Sequence, residues 1–94
     1  MKIVWSPRAA GHLEQIRDYI AEDDPAAAAR IAEKILAAVG LLARHPGAGR
    51  PGRIPGTREL LVAGTPYIIP YRVRRERLEL IAVFHGREMW RAKT

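Results

Sequence analysis

One histidine and two arginines in the second half of this chain are of the residue types that phosphoryl chemistry requires. Cleavage of RNA by attack of its 2′-hydroxyl needs a general base, a general acid and cations to balance charge on the phosphorane. His85 can give or take the proton, and Arg58 and Arg87 can clamp phosphate oxygens. Tyr67, Tyr71 and Trp90 offer flat rings on which bases could stack. Each of these residues also has a structural reading. His85 can cap a strand end, Arg58 can pair with Glu59 or Glu88, and the tyrosines can be half-buried sheet residues.

Other chemistries lack their parts. His12, His45 and His85 are far apart and form no ligand spacing, so no metal is expected, and His12 reads as an exposed helix residue. The absence of cysteine removes thiolate ligands and disulfides. The stretch Gly47-Ala48-Gly49-Arg50-Pro51-Gly52 lacks the lysine, the hydroxyl and the following helix of a phosphate-binding loop. Ser6 reads as a helix cap rather than a nucleophile. No cofactor is expected.

The elements that must position these residues can be read from pattern. Ser6-Pro7 follows the β-prone Lys2-Ile3-Val4-Trp5 and starts a helix in which Ala9, Leu13, Ile16 and Ile20 recur on one side. Asp24-Pro25 repeats that signal before a second helix with the stripe Ala28, Ile31, Ile35, Ala38 and Leu42. So short a link makes the two helices an antiparallel hairpin. From His45 to Gly56 glycines and prolines end the helix in a surface loop, read either as a flexible basic rim carrying Arg50 and Arg53 or as a plain connector.

Strands are expected near 58–63, 67–73 and 78–84, in an antiparallel meander. Ile69, Tyr71 and Val73 should share one face, as should Leu78, Leu80, Ala82 and Phe84. Pro70 cannot donate to a ladder and belongs at an edge or a bulge. The segment from Glu88 to Thr94 is too short for an element of its own.

Ninety-four residues suit one domain, expected to span 1–94, and a chain of this size buries roughly 60–65% of its unfolded surface. No apolar run approaches the roughly 18 residues of a membrane span, and no signal-like stretch opens the chain, so a cytoplasmic protein is expected. The formal net charge of +6 is unevenly distributed. Residues 1–25 carry −2 and residues 26–49 carry +2, whereas residues 50–94 set nine arginines and Lys93 against Glu59, Glu76, Glu79 and Glu88 for +6. The positive field belongs to the strand region, which implies an acidic partner, either nucleic acid or an acidic protein segment, or else an arginine-rich solvated face.

The order of elements, together with Gly56-Thr57-Arg58-Glu59-Leu60, Pro66-Tyr67-Ile68-Ile69-Pro70-Tyr71-Arg72-Val73 and Val83-Phe84-His85-Gly86, resembles the RelE/ParE superfamily of type II toxins. The resemblance covers essentially the whole chain, including Trp5-Ser6-Pro7-Arg8-Ala9 and His45-Pro46-Gly47. It implies an α+β fold of the order β-α-α-β-β-β, with an antiparallel helical hairpin packed on a small antiparallel sheet. It also implies a bacterial toxin neutralised by a co-expressed antitoxin, ParD-like or related, in a hetero-oligomeric complex.

RelE-like members cleave messenger RNA on the ribosome, and ParE-like members act on DNA gyrase; fold alone does not separate them. RelE-like nucleases place lysines on the first strand of the meander and an arginine after the tyrosine that starts the next. Here Val62, Ala63 and Ile68 stand at such places, and one lost charge donor typically lowers rate about 10²–10³-fold. The resemblance therefore favours a ParE-like gyrase poison, with Arg72, Arg74, Arg75, Arg77, Arg87 and Trp90 as target-binding residues. The alternative is a ribosome-dependent endoribonuclease using Arg58, His85 and Arg87. A third reading is a non-toxic binding partner within a toxin-antitoxin complex.

Overall fold

The computed structural model describes residues 1–87. Strand β1, Lys2–Trp5, runs directly into helix α1, Pro7–Ala21, and helix α2, Pro25–Arg44, follows. Ser6 makes the junction rigid: its Oγ accepts the N–H of Ala9 and donates to the carbonyl of Ile81, both at 3.0 Å. Asp24 caps α2 through the N–H of Ala27 at 3.0 Å. Both cap-then-proline signals thus mark real helix starts.

Five strands form a sheet in the order β1-β5-β4-β3-β2, and a sixth, β6, pairs with β4. Here β2 is Arg50–Pro51, β3 is Arg58–Leu61, β4 is Tyr67–Arg74, β5 is Arg77–Leu80 and β6 is Phe84–His85. The expected meander is β3-β4-β5, antiparallel throughout. β1 lies parallel to β5, so the sheet as a whole is mixed. The helical hairpin supplies the crossover that a parallel pair needs.

One face of the sheet packs on the helices. Ile69, Tyr71, Leu78 and Leu80 cluster there with Ala9, Ile35, Val39 and Leu42. The buried stripe of α2 is Ala28, Ala32, Ile35, Val39 and Leu42, with Ala32 and Val39 in place of the expected Ile31 and Ala38, which pack at its margin. Val62 and Ile68 are buried too.

The last strand departs from the expected alternation. Tyr71 faces Leu80 and Ile68 faces Phe84, so three steps on β4 match four on the opposing segment from β5 to β6. One extra residue is accommodated between Leu80 and Phe84, and Phe84 leaves the face shared by Leu78 and Leu80. Pro70 lies opposite this irregularity, with its carbonyl accepting the N–H of Ile81 at 2.9 Å. The missing N–H of Pro70 points to the same side as its carbonyl, where the ladder is already interrupted. Proline in a central strand is tolerated because it sits at a bulge.

Candidate functional site

The breaker loop from 45 to 57 is tied to the sheet. Tyr71, fully buried, accepts the N–H of Gly49 at 2.9 Å through its hydroxyl and donates to the carbonyl of Pro46 at 2.8 Å. The guanidinium of Arg58 donates to the carbonyl of Gly49 at 2.8 Å. Glu59, only 4% exposed, pairs with Arg50 at 3.2 Å and accepts the backbone N–H of Arg53 at 3.1 Å. Tyr71 is therefore no stacking platform, and Arg50, though still largely exposed at the rim, is paired with Glu59. Arg58 is bound to the loop, not to Glu59.

His85 lies at the other end of β4. Its ring stands edge-on to Tyr67 with centroids 5.8 Å apart, and its Nδ1 accepts the N–H of Arg87 at 3.2 Å. Arg87 itself is exposed. His12 of α1 approaches from across the cleft. Its Nδ1 accepts the N–H of Val83 at 3.1 Å, and its ring packs 5.2 Å from Phe84. His12 is half-buried, not the exposed helix residue expected, because the backbone just before β6 offers a donor that the extra residue leaves outside the ladder. Together His12, Gln15, Ile16, Tyr19, Tyr67, Val83 and His85 line a cleft of about 390 Å³. Its helical wall went unread in the sequence, although His12, Gln15 and Tyr19 share one side of a helix by their spacing.

Of the nuclease candidates, His85 and Arg87 are neighbours but Arg58 does not join them. Arg58 is opposite Tyr71 on one side of β4, and His85 is opposite Tyr67 on the other. Four residues along a strand and two strand spacings put their backbones about 16 Å apart. Val62 and Ile68, where a nuclease of the RelE kind would place cations, are core residues.

The arginines expected to bind a target divide into two groups. Arg72, Arg74, Arg75 and Arg77 gather toward the β4-β5 hairpin, with Arg72 about 17 Å and Arg74 about 23 Å along β4 from Tyr67, which faces His85. Arg72 and Arg74 both reach Glu79, at 2.7 and 3.4 Å. The Arg72 hydrogen bond chiefly, with the charge of Arg74, holds the Glu79 carboxyl below its usual pKa against partial burial that raises it. Trp90 and Glu88 lie outside the described residues.

Residues 3–90 match the family model described as the ParE toxin of the type II toxin-antitoxin system, parDE. The chain belongs to the ParE toxin family. Its similarities agree in extent. The Y4kP protein of Sinorhizobium fredii is 49% identical over 95% of this chain and 92% of its own length. Toxin RelE2 of Caulobacter vibrioides is 36% identical over 90% of this chain and 94% of its own. A solved chain of the chromosomal ParDE toxin-antitoxin system of P. aeruginosa superposes with a TM-score of 0.81 at 30% identity, covering 90% of this chain and 95% of that one. The α+β fold of this ParE-family toxin is therefore that of the RelE/ParE superfamily. No helix among the described residues is long and apolar enough to cross a membrane.

Proposed function

We propose that this ParE-family chain stops growth by binding and poisoning DNA gyrase, and that a cognate antitoxin of the ParD kind neutralises it. The observation that carries the reading is the separation of Arg58 from the neighbouring pair His85 and Arg87. Arg58 is bound to the Gly49 carbonyl, and His85 lies beyond the far edge of β4 from it. A phosphorane needs its proton carriers and cations within hydrogen-bond reach of one reacting centre. Binding a protein target needs no such convergence. Supercoiling by purified gyrase should fall as the chain is added, and should recover when the antitoxin is present. Full supercoiling at a saturating concentration would sink the reading.

A ribosome-dependent endoribonuclease is the second reading. It is favoured by the cleft in which His85, His12 and Tyr67 stand together. Induction should then produce codon-phased cuts in translated messages, lost in His85→Ala. Intact messages during growth arrest exclude it.

A further inference from the structure

The sheet face turned away from the helices is cationic at the β4-β5 hairpin. Lys2 stands beside Arg77, Arg77 opposite Arg74, and Arg72 opposite Glu79. Paired residues point to the same side of a sheet and alternate residues repeat it, so these five side chains share the face opposite Leu78, Leu80 and Tyr71. Arg75 and Glu76 occupy the turn between Arg74 and Arg77.

Local stability does not explain this choice of residues. Arg74 and Arg77 are like charges placed directly opposite each other, an unfavourable cross-strand pair. Arg75 and Glu76 have φ of 50° and 60°, the backbone of a tight hairpin turn that favours Asn-Gly. Glu79 draws Arg72 and Arg74 together on one carboxylate and so fixes where their guanidiniums lie.

We infer that this face binds the phosphate backbone of nucleic acid without reading base sequence. Arginine forks match phosphate oxygens in pairs, and here they are spread over two neighbouring strands with Lys2 on a third. The cleft of about 280 Å³ at the hairpin is lined by Arg74, Arg75, Arg77 and Glu79, with no apolar side chain among them. A protein partner is normally anchored by apolar or aromatic groups buried in a pocket, whereas a phosphate backbone is held by charge. A second cleft reaches from Arg72 and Glu79 to Arg8, but Val4, Leu80 and Ile81 also line it, so the cationic face proper ends at Arg72. The inference is independent of the gyrase reading, since it concerns a ligand held by this face whatever the toxin's target.

Binding of a labelled DNA duplex of mixed sequence to the purified full chain tests it, measured between about 50 and 200 mM salt. The logarithm of the association constant should fall against the logarithm of salt with a slope of about −3 to −5, as four or five phosphates are neutralised. Replacing Arg74 and Arg77 together by alanine should flatten that slope by about 2 and weaken binding at least tenfold. Replacing Arg17 and Arg30 on the helices removes the same charge and should leave the slope unchanged. Glu79→Gln should tighten binding several-fold while its circular-dichroism spectrum and melting temperature show that it is folded, since an unfolded chain of this charge would also bind DNA. The inference is overturned if the duplex does not bind, if the helix pair matters as much as the hairpin pair, or if polyglutamate binds in place of the duplex.

Discussion

The hydroxyl of Tyr71 accepts the backbone N–H of Gly49, 2.9 Å away, from the middle of the core. A Cβ on Gly49 would stand 2.5 Å from that oxygen and 2.8 Å from the carbonyl of Glu59. Loop and sheet therefore meet without room for a side chain. The contact makes one unit of the basic loop and the strand that carries Arg72 and Arg74.

Removing the hydroxyl in Tyr71→Phe deprives the buried N–H of Gly49 and the half-buried carbonyl of Pro46 of a partner. The expected loss is about 1–3 kcal/mol, the range for leaving a buried polar group unsatisfied. Each kcal/mol lowers the melting temperature of a domain this size by about 4–8 °C. Thermal unfolding measures it. A melting point equal to that of the parent would show that the loop is not held by this hydroxyl. Gly49→Ala should be destabilised as well, since the backbone carbonyl of Glu59 cannot swing aside as a flexible side chain would.

Glu76→Gly should stabilise the chain by roughly 0.5–1 kcal/mol. Left-handed backbone costs a non-glycine residue about 1–2 kcal/mol, and part of the relief is lost to the extra freedom of glycine in the unfolded chain. Glu76 is exposed with φ 60°, so nothing in the core opposes the change. Denaturant unfolding should give a higher midpoint at unchanged slope. A lower midpoint contradicts the strain argument.

Glu79 should titrate below an ordinary carboxylate because of Arg72 first and Arg74 second. The unfolded chain lacks these partners, so the folded state binds fewer protons across the acidic range. The stabilisation from the pair is then fully present above the unfolded carboxylate pKa, and it is lost as pH falls through the lowered folded value. Carboxyl NMR on the intact chain reads the midpoint directly, and Arg72→Ala should move it up. A midpoint indifferent to that substitution would assign the shift elsewhere.

Much of the architecture was legible because its causes are local. Ser6-Pro7 and Asp24-Pro25 announce both helices by capping chemistry, and Leu78 and Leu80 announce an inward face by alternation. The hairpin of β4 and β5 could be read from two apolar runs around Arg75-Glu76. Other features depend on partners far away in the chain. β1 meets β5 across some 75 positions, as Lys2 pairs with Arg77, and no property of Lys2-Ile3-Val4-Trp5 names its neighbour or its direction. The edge-or-bulge ambiguity of Pro70 was resolved by the extra residue between Leu80 and Phe84, which acts from another strand.

The sequence by itself determined the order of β1, the two helices and the β3-β4-β5 meander, though not β2 in the expected loop or the separate β6, along with the concentration of positive charge after residue 50 and a resemblance that the family match bears out. These follow from residue type and short-range spacing, which the chain carries wherever it folds. Only the tertiary structure decided which functional side chains stand together. It placed His12 beside the cleft of His85, buried Tyr71, bound Arg58 to Gly49, and assembled Lys2 with Arg72, Arg74 and Arg77 on one face. Strand register and helix packing set those distances, and both are properties of contacts between distant segments rather than of any one of them.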